Sequence, residues 1–217
     1  LERVCYGQVC DADIRGEVVA CDPYLRFRWR RGEGEWHAVA TQLIGSYNID
    51  NALCAATVGC YFGIPEREVT DALAAYTPQN NRSQLTPTAH NMLVVDAYNA
   101  NPTSMEAALN NFASVVAERK VAMLGDMLEL GEESVVEHIQ VVRKALVSGI
   151  DLVCFVGGEF AKAVDEVRAE GDSCDSLLCF TTSQELADWL AANPITDTAV
   201  LIKGSRGTRM EKVITVL

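Results

Sequence analysis

The sequence lacks the short glycine motifs that usually mark a nucleotide site or a catalytic serine. It contains no GxxxxGK[ST] loop, no GxGxxG loop and no GxSxG turn. Without the first of these, the usual backbone cradle for the phosphates of ATP is missing. We therefore expect that the 217 residues alone neither hydrolyse ATP nor hold a complete set of catalytic groups.

Basic residues are scarce. The chain has 18 Lys and Arg against 30 Asp and Glu, which gives a net charge of −12 and a pI near 4.7. This charge argues against nucleic acid as the main partner, because a phosphate backbone needs clustered cations. No apolar run reaches the roughly 18 residues of a membrane span, which argues against membrane insertion.

Metal ligands are also sparse. The three histidines lie far apart, and none of the eight cysteines forms a CxxC pair. Several cysteines stand inside apolar runs, such as Cys154 in "DLVCFVG". This pattern indicates reduced cysteines that pack as small core residues, without a structural metal or a disulfide framework.

Residues 1–82 have one kind of pattern. Three segments with β-branched or aromatic content predict short antiparallel strands, and two segments with an apolar face predict helices. The strands are "IRGEVVAC", "YLRFRWRR" and "EWHAVATQ", and the helices are "NIDNALCAATVGCYFG" and "EREVTDALAAY". The polar segment "PQNNRSQLTPT", from Pro78 to Thr88, is typical of a linker.

Residues 83–217 repeat strand and then helix five times. Most of these strands are continuous apolar runs, such as "NMLVVDA" and "AVLIKGS", which is typical of strands buried on both faces. The pattern predicts an α/β domain with a doubly wound, mainly parallel sheet covered by helices on both sides. Its last helix is predicted in "GTRMEKVITVL".

In such a sheet, ligands bind beyond the carboxyl ends of the strands. The loop "DAYNANP" there contains Asp96, Tyr98, Asn99 and Asn101. A carboxylate at a strand end can hold two ribose hydroxyls, so this group favours a binding site. The alternative is structural: Asn101 caps the next helix and Asp96 binds nearby backbone amides.

Two other loops at the same edge carry candidate residues. Asp126 ends the strand "KVAMLGD". The loop "KGSRGTR" places Lys203, Ser205 and Arg206 close together, and its donors suit a carboxylate or a phosphate. The alternative for this loop is a solvated helix start.

Six stretches together resemble the Mur ligase family. They are "GSYNIDNALCAA", Arg82 in "NNRSQL", "VVDAYNANPTSMEAAL", "LGDMLELGEES", "FVGGEF" and "LIKGSRGTRMEKV". The resemblance covers nearly the whole chain and is weak before about residue 40. It implies that residues 1–82 are the C-terminal part of a central ATP-binding domain, that residues 83–217 are a C-terminal Rossmann-like domain, and that the sequence is a fragment.

The resemblance also implies roles for individual residues. The residues that it places at the nucleotide are Asn48, Asn51, Arg82, Asp96, Tyr98, Asn99 and Asn101, and those at the substrate are Asp126, Lys203, Ser205 and Arg206. Asp96 would bind ribose, so we expect Asp96→Ala to weaken nucleotide use with little loss of stability. Two positions depart from the family: Tyr47 stands where histidine is usual, and Asn81 replaces the glycine before the linker arginine.

The implied chemistry is amide ligation. The resemblance is closest to the branch that uses ATP and Mg²⁺ to join D-Ala-D-Ala to UDP-MurNAc-tripeptide, as a monomer in the bacterial cytoplasm, with the magnesium ligands mostly upstream of this chain. The third domain would close over the nucleotide from a hinge near Arg82. Two alternatives are a folylpolyglutamate synthase-like ligase and a nucleotide-binding module without catalysis.

Overall fold

The computed structural model describes residues 3–9, 11–21, 24–79 and 84–217. The chain divides into two compact units, Leu1–Pro78 and Gln79–Leu217, and each has its own sheet. Within the described residues, none of the helices has both the length and the apolar character needed to cross a membrane.

The first unit is a four-stranded sheet with two helices. Its elements are β1 (Tyr6–Gly7), β2 (Ile14–Cys21), β3 (Tyr24–Arg31), β4 (His37–Ile44), α1 (Asn48–Tyr61) and α2 (Glu66–Ala75). The strands lie in the order β1-β2-β3-β4, with β1 parallel to β2 and the other pairs antiparallel. The predicted antiparallel strands and both helices are confirmed, whereas β1 is too short to give a sequence pattern.

Alternation along β3 explains the core of this unit. Leu25, Phe27 and Trp29 point inward and are almost fully buried, while Arg26 and Arg28 point to solvent. The inward side chains pack against the apolar faces of α1 and α2, as the period of two in a half-buried strand requires.

The second unit is a six-stranded sheet. Its strands are β5 (Gln84–Pro87), β6 (Asn91–Asp96), β7 (Lys120–Gly125), β8 (Leu152–Val156), β9 (Leu177–Phe180) and β10 (Thr198–Lys203), in the order β5-β6-β10-β7-β8-β9. All pairs are parallel except the one that β5 forms at the edge. Its helices are α3 (Pro102–Ser114), α4 (Ser134–Leu146), α5 (Gly158–Ala169) and α6 (Ser183–Ala192).

Helices cover both faces of this sheet. The helix α6 and the C-terminal segment Met210–Val216 pack on one face, against side chains such as Cys154 and Val156 of β8. On the opposite face Phe155 stacks on Phe160 of α5, and α5, α4 and α3 pack side by side. The predicted doubly wound α/β domain is confirmed.

Two predictions about local structure differ from the structure in part. The predicted linker, Pro78–Thr88, contains the division between the two units, but Gln84–Pro87 within it form β5, which is held by pairing with β6 rather than by a pattern of its own. The last predicted α-helix is a pair of 3₁₀ helices, Arg206–Thr208 and Met210–Val216. Arg209 between them has φ of 52°, and this left-handed conformation interrupts a regular helix.

Candidate functional site

An ion pair lies at the carboxyl edge of the second sheet. Asp96 and Lys203 are the last residues of β6 and β10 and stand opposite each other in register. Lys203 Nζ donates to Asp96 Oδ2 at 2.6 Å and to the backbone oxygen of Asn99 at 3.2 Å. The Lys203 side chain is 1% exposed and that of Asp96 is 15% exposed.

This burial changes the expected effect of removing Asp96. Breaking a buried ion pair from one side leaves an uncompensated charge and costs about 3–5 kcal/mol. The carboxylate has a buried partner within the protein, which contradicts the premise that only a ligand contacts it, so we now expect Asp96→Ala to destabilise the second unit. Its contact with ribose remains a prediction.

The loop after β6 is largely shaped by its own polar side chains. Asn99 Oδ1 accepts a hydrogen bond from the backbone amide of Ala100 at 2.9 Å. Asn101 Oδ1 accepts from the amide of Ser104 at 2.8 Å, and Ser104 Oγ accepts from the amide of Asn101 at 3.1 Å. This capping box, with Pro102 as the first helical residue, starts α3. The capping alternative for Asn101 is thus confirmed.

Ser205 joins three of the loops at this edge. The side chain is buried, and its hydroxyl donates to the Ala100 carbonyl at 3.4 Å and accepts from the Leu128 amide at 2.9 Å. Its own amide donates to the Asp126 carbonyl at 3.2 Å. The hydroxyl that the sequence assigns to a ligand is therefore turned toward the protein.

Asp126 binds backbone amides at the start of α5, a role that the sequence does not indicate. Its two carboxylate oxygens accept the backbone amides of Glu159 at 3.1 Å and Phe160 at 2.9 Å, at the start of α5. A negative charge here also suits the positive end of the helix dipole. The carboxylate is buried and used in this way, so its predicted contact with substrate has no support from the geometry.

His138 is a buried residue of this region that the sequence analysis did not select. Its Nδ1 donates to the Ser134 carbonyl at 2.6 Å, and its Nε2 accepts from the Met127 amide at 3.0 Å. This pattern assigns a neutral imidazole with the proton on Nδ1. The 3.8 Å approach of Nε2 to Asp126 is therefore not an ion pair. The only signal in the sequence was a histidine on the apolar face of a predicted helix.

Two glycines allow the strand ends and the C-terminal segment to meet closely. A Cβ on Gly125 would lie 2.5 Å from Thr208 Oγ1, and one on Gly204 would lie 2.8 Å from Met210 Cγ and 3.0 Å from Gly125 Cα. A side chain at either position would force Thr208 or Met210 to move, so glycine suits both positions.

Tyr98 and Arg206 form an exposed pair at this edge of the sheet. The Arg206 guanidinium carbon lies 5.7 Å from the centre of the Tyr98 ring, within cation–π range, and Tyr98 is 38% exposed. Arg206 is also exposed. The pair presents an aromatic face and a planar set of donors that suit a carboxylate or a phosphate.

The remaining predicted nucleotide residues belong to the first unit or fall outside the described residues. Asn48 is buried and donates to the Ile44 carbonyl at 2.8 Å, which fixes the start of α1. Asn51 is exposed, and its amide donates to Asn48 Oδ1 at 3.1 Å. Arg82 lies outside the described residues. No group of three metal-ligating side chains occurs within 3–9, 11–21, 24–79 and 84–217.

Comparison with known proteins identifies the family. A family model described as "Mur ligase, glutamate ligase domain" matches residues 81–206, more than half of the chain. The chain belongs to the Mur ligase family. The resemblance inferred from the sequence motifs is therefore confirmed.

One relative and two solved structures illustrate the match. The chain is 32% identical over 216 residues to a UDP-N-acetylmuramoyl-tripeptide–D-alanyl-D-alanine ligase of Treponema pallidum, covering 98% of the chain and 46% of that relative. A MurF crystal structure from Acinetobacter baumannii aligns with a TM-score of 0.83 at 25% identity, over 97% of the chain and 46% of that protein. MurF from Thermotoga maritima in complex with ADP has a TM-score of 0.78 at 19% identity, over 97% of the chain and 47% of that protein, and shows the shared fold. This Mur ligase chain thus spans about half the length of these proteins.

Proposed function

We propose that this Mur ligase chain forms part of an enzyme that uses ATP to join D-alanyl-D-alanine to UDP-MurNAc-tripeptide. The observation that carries the proposal is the 32% identity over 216 residues to a ligase named for that reaction. The chain covers about half of that relative, so the complete activity is assigned to the whole gene product that contains these residues.

The proposed reaction has two stages. ATP phosphorylates the free carboxyl of the tripeptide, which gives an acyl phosphate and ADP. The amine of the dipeptide then attacks the acyl carbon, a tetrahedral intermediate forms, phosphate leaves and an amide bond remains. Mg²⁺ would stabilise the charge that develops on the phosphate oxygens. Holding amine and acyl phosphate together is an orientation problem, and this is what the residues of this chain would help to solve.

In this proposal, the predicted residues contact different parts of the ligands. Asp96 would bind the ribose hydroxyls from the carboxyl end of β6. The exposed Tyr98 and Arg206 would meet a phosphate or a carboxylate at the same edge. Asn51, exposed on the first turn of α1, would contact adenine, and Arg82 would reach the nucleotide. The ADP in the Thermotoga MurF structure, which shares this fold, agrees with a nucleotide role.

A coupled phosphate-release assay tests the proposal. The complete gene product that contains the chain is given ATP, Mg²⁺ and UDP-MurNAc-tripeptide, with and without D-Ala-D-Ala. We expect phosphate release that depends on the dipeptide, and a product heavier by the dipeptide less one water. Release that is indifferent to the dipeptide, from a folded protein, would overturn the assignment of the acceptor.

Arg206→Ala is the variant that tests the exposed pair of Tyr98 and Arg206. Within the part of the chain that the structure describes, the exposed Arg206 guanidinium contacts only the Tyr98 ring, so its loss should leave stability within about 0.5 kcal/mol of wild type. We expect a higher KM for the tripeptide or the dipeptide. Lys212→Met, which removes another exposed cation from the C-terminal segment, is the matched control and should change no KM value.

A further inference from the structure

We propose that Lys203 and Ser205 are positioning residues that act through the protein, and that they do not contact the substrate themselves. The inference rests on the proposed function for its kinetic test. The resemblance to Mur ligases implies instead that both residues contact the substrate, together with Arg206.

The direction of the Lys203 side chain supports this role. The Lys203 side chain is 1% exposed, and its ammonium donates to the Asp96 carboxylate and to the Asn99 carbonyl, at 2.6 and 3.2 Å. An ammonium has three donors, and two of them are used here within the protein. The pair thereby fixes both the carboxylate proposed for ribose and the loop that follows it.

Ser205, two residues after Lys203, also contacts the loops at this edge of the sheet. Its hydroxyl contacts the Ala100 carbonyl and the Leu128 amide, so it ties the loop after β6 to the loop after β7. The end of β10 therefore holds two neighbouring loops at the edge where ligands bind. Arg206, the next residue, is exposed and is the first of this run that can reach a ligand.

The kinetic test compares ATP with 2′-deoxy-ATP, which lacks one ribose hydroxyl. If Asp96 binds the sugar hydroxyls, the complete gene product should prefer ATP over 2′-deoxy-ATP, measured as a ratio of kcat/KM values. Asp96→Asn should reduce that preference by roughly tenfold, the scale of one hydrogen bond to a charged group. Lys203→Met should reduce this preference similarly. The double variant should reduce it no further, because both changes disrupt the same ion pair.

The alternatives give different results in the same assay. Direct contact between Lys203 and the substrate would raise the KM for dipeptide or tripeptide and leave the preference for ATP over 2′-deoxy-ATP unchanged. A merely structural role would lower activity with both nucleotides equally. Either result would overturn the proposal. Lys212→Met is again the control and should match wild type.

A second measurement does not depend on activity. Amide hydrogen exchange of the 217-residue chain should speed up in the loop 97–101 in Lys203→Met and at the Leu128 amide in Ser205→Ala. Ser205→Ala is the milder change and remains informative if Lys203→Met unfolds the second unit. Unchanged exchange at both places would refute the positioning role, even if no ligase activity is found and the proposed function fails.

Discussion

Gly157→Ala tests the contact between Asp126 and the start of α5. Gly157 has φ of +120°, a conformation that side chains rarely adopt. A Cβ there would lie 2.2 Å from Asp126 Oδ2 and 2.3 Å from its Cγ. The carboxylate would have to move, and each of its oxygens already accepts a backbone amide of α5.

The expected loss of stability combines two costs. A strained backbone conformation costs about 1–3 kcal/mol. Losing one hydrogen bond to a charged group costs about 1.5–3 kcal/mol more. Together they predict that Gly157→Ala lowers the free energy of unfolding of the second unit by about 2.5–6 kcal/mol.

The adjacent glycine provides a matched control. A Cβ on Gly158 meets no atom within 4 Å, and its φ is not positive. Gly158→Ala should therefore be neutral or stabilise the unit by up to about 1 kcal/mol. The two variants make the same chemical change one residue apart.

Urea unfolding followed by ¹⁹F NMR of 5-fluorotryptophan separates the two units. Trp189 is the only tryptophan after residue 83, so its resonance, assigned with Trp189→Phe, reports the second unit. If Gly157→Ala unfolds within about 0.5 kcal/mol of Gly158→Ala, the described contact between Asp126 and α5 does not stabilise the fold and the reasoning fails.

Three other predictions concern stability and reactivity. Asn101→Ala should lower the free energy of unfolding of the second unit by about 1 kcal/mol, because it removes the cap of α3; the same ¹⁹F measurement checks this. Burial raises the pKa of the Cys154 thiol to about 12, so at pH 8 iodoacetamide should label the exposed Cys5 in the native protein and Cys154 only after unfolding, as read by peptide mass spectrometry. The hydrogen bonds from Lys162 and then Ser134 hold the pKa of Glu159 below its ordinary value of 4.5, so the stability that this carboxylate contributes is present above that pH and is lost below it. Unfolding midpoints of wild type and Glu159→Gln should differ at pH 7 and converge as the pH falls below 4.5; a difference that persists there would contradict the assignment.

Much of the fold was predictable because its cause is local. Buried parallel strands such as β7 and β10 read as continuous apolar runs, and the alternation in β3 marks a half-buried strand. The errors occurred in segments whose secondary structure depends on contacts with residues distant in sequence. β5 exists because Leu85 pairs with Val94, and the 3₁₀ segment at the C-terminus keeps Met210 and Val213 in the core after the break at Arg209.

The location of the candidate site was also predictable from the sequence, whereas the contacts of its individual side chains were not. Strand ends of a parallel sheet meet at one edge, so the grouping of Asp96, Asp126 and Lys203 follows from topology. Which partner each side chain has depends on register and on contacts across the sheet. The pair of Asp96 and Lys203 joins residues 107 positions apart, and the helix amides bound by Asp126 come from residues 33 and 34 positions later.

The number of polar residues in the loop after β6 is therefore a poor measure of its binding function. Of its four polar residues, Asp96 pairs with a buried lysine, Asn99 binds the next amide and Asn101 caps α3. Tyr98 is 38% exposed, and its neighbour Arg206 follows a different strand. The contacts of Asp96 within the protein are compatible with ligand binding. A carboxylate that Lys203 holds in place is preoriented, which reduces the entropy lost when a ribose binds. Stability and binding would then depend on the same ion pair, and Lys203→Met would impair both without touching a ligand.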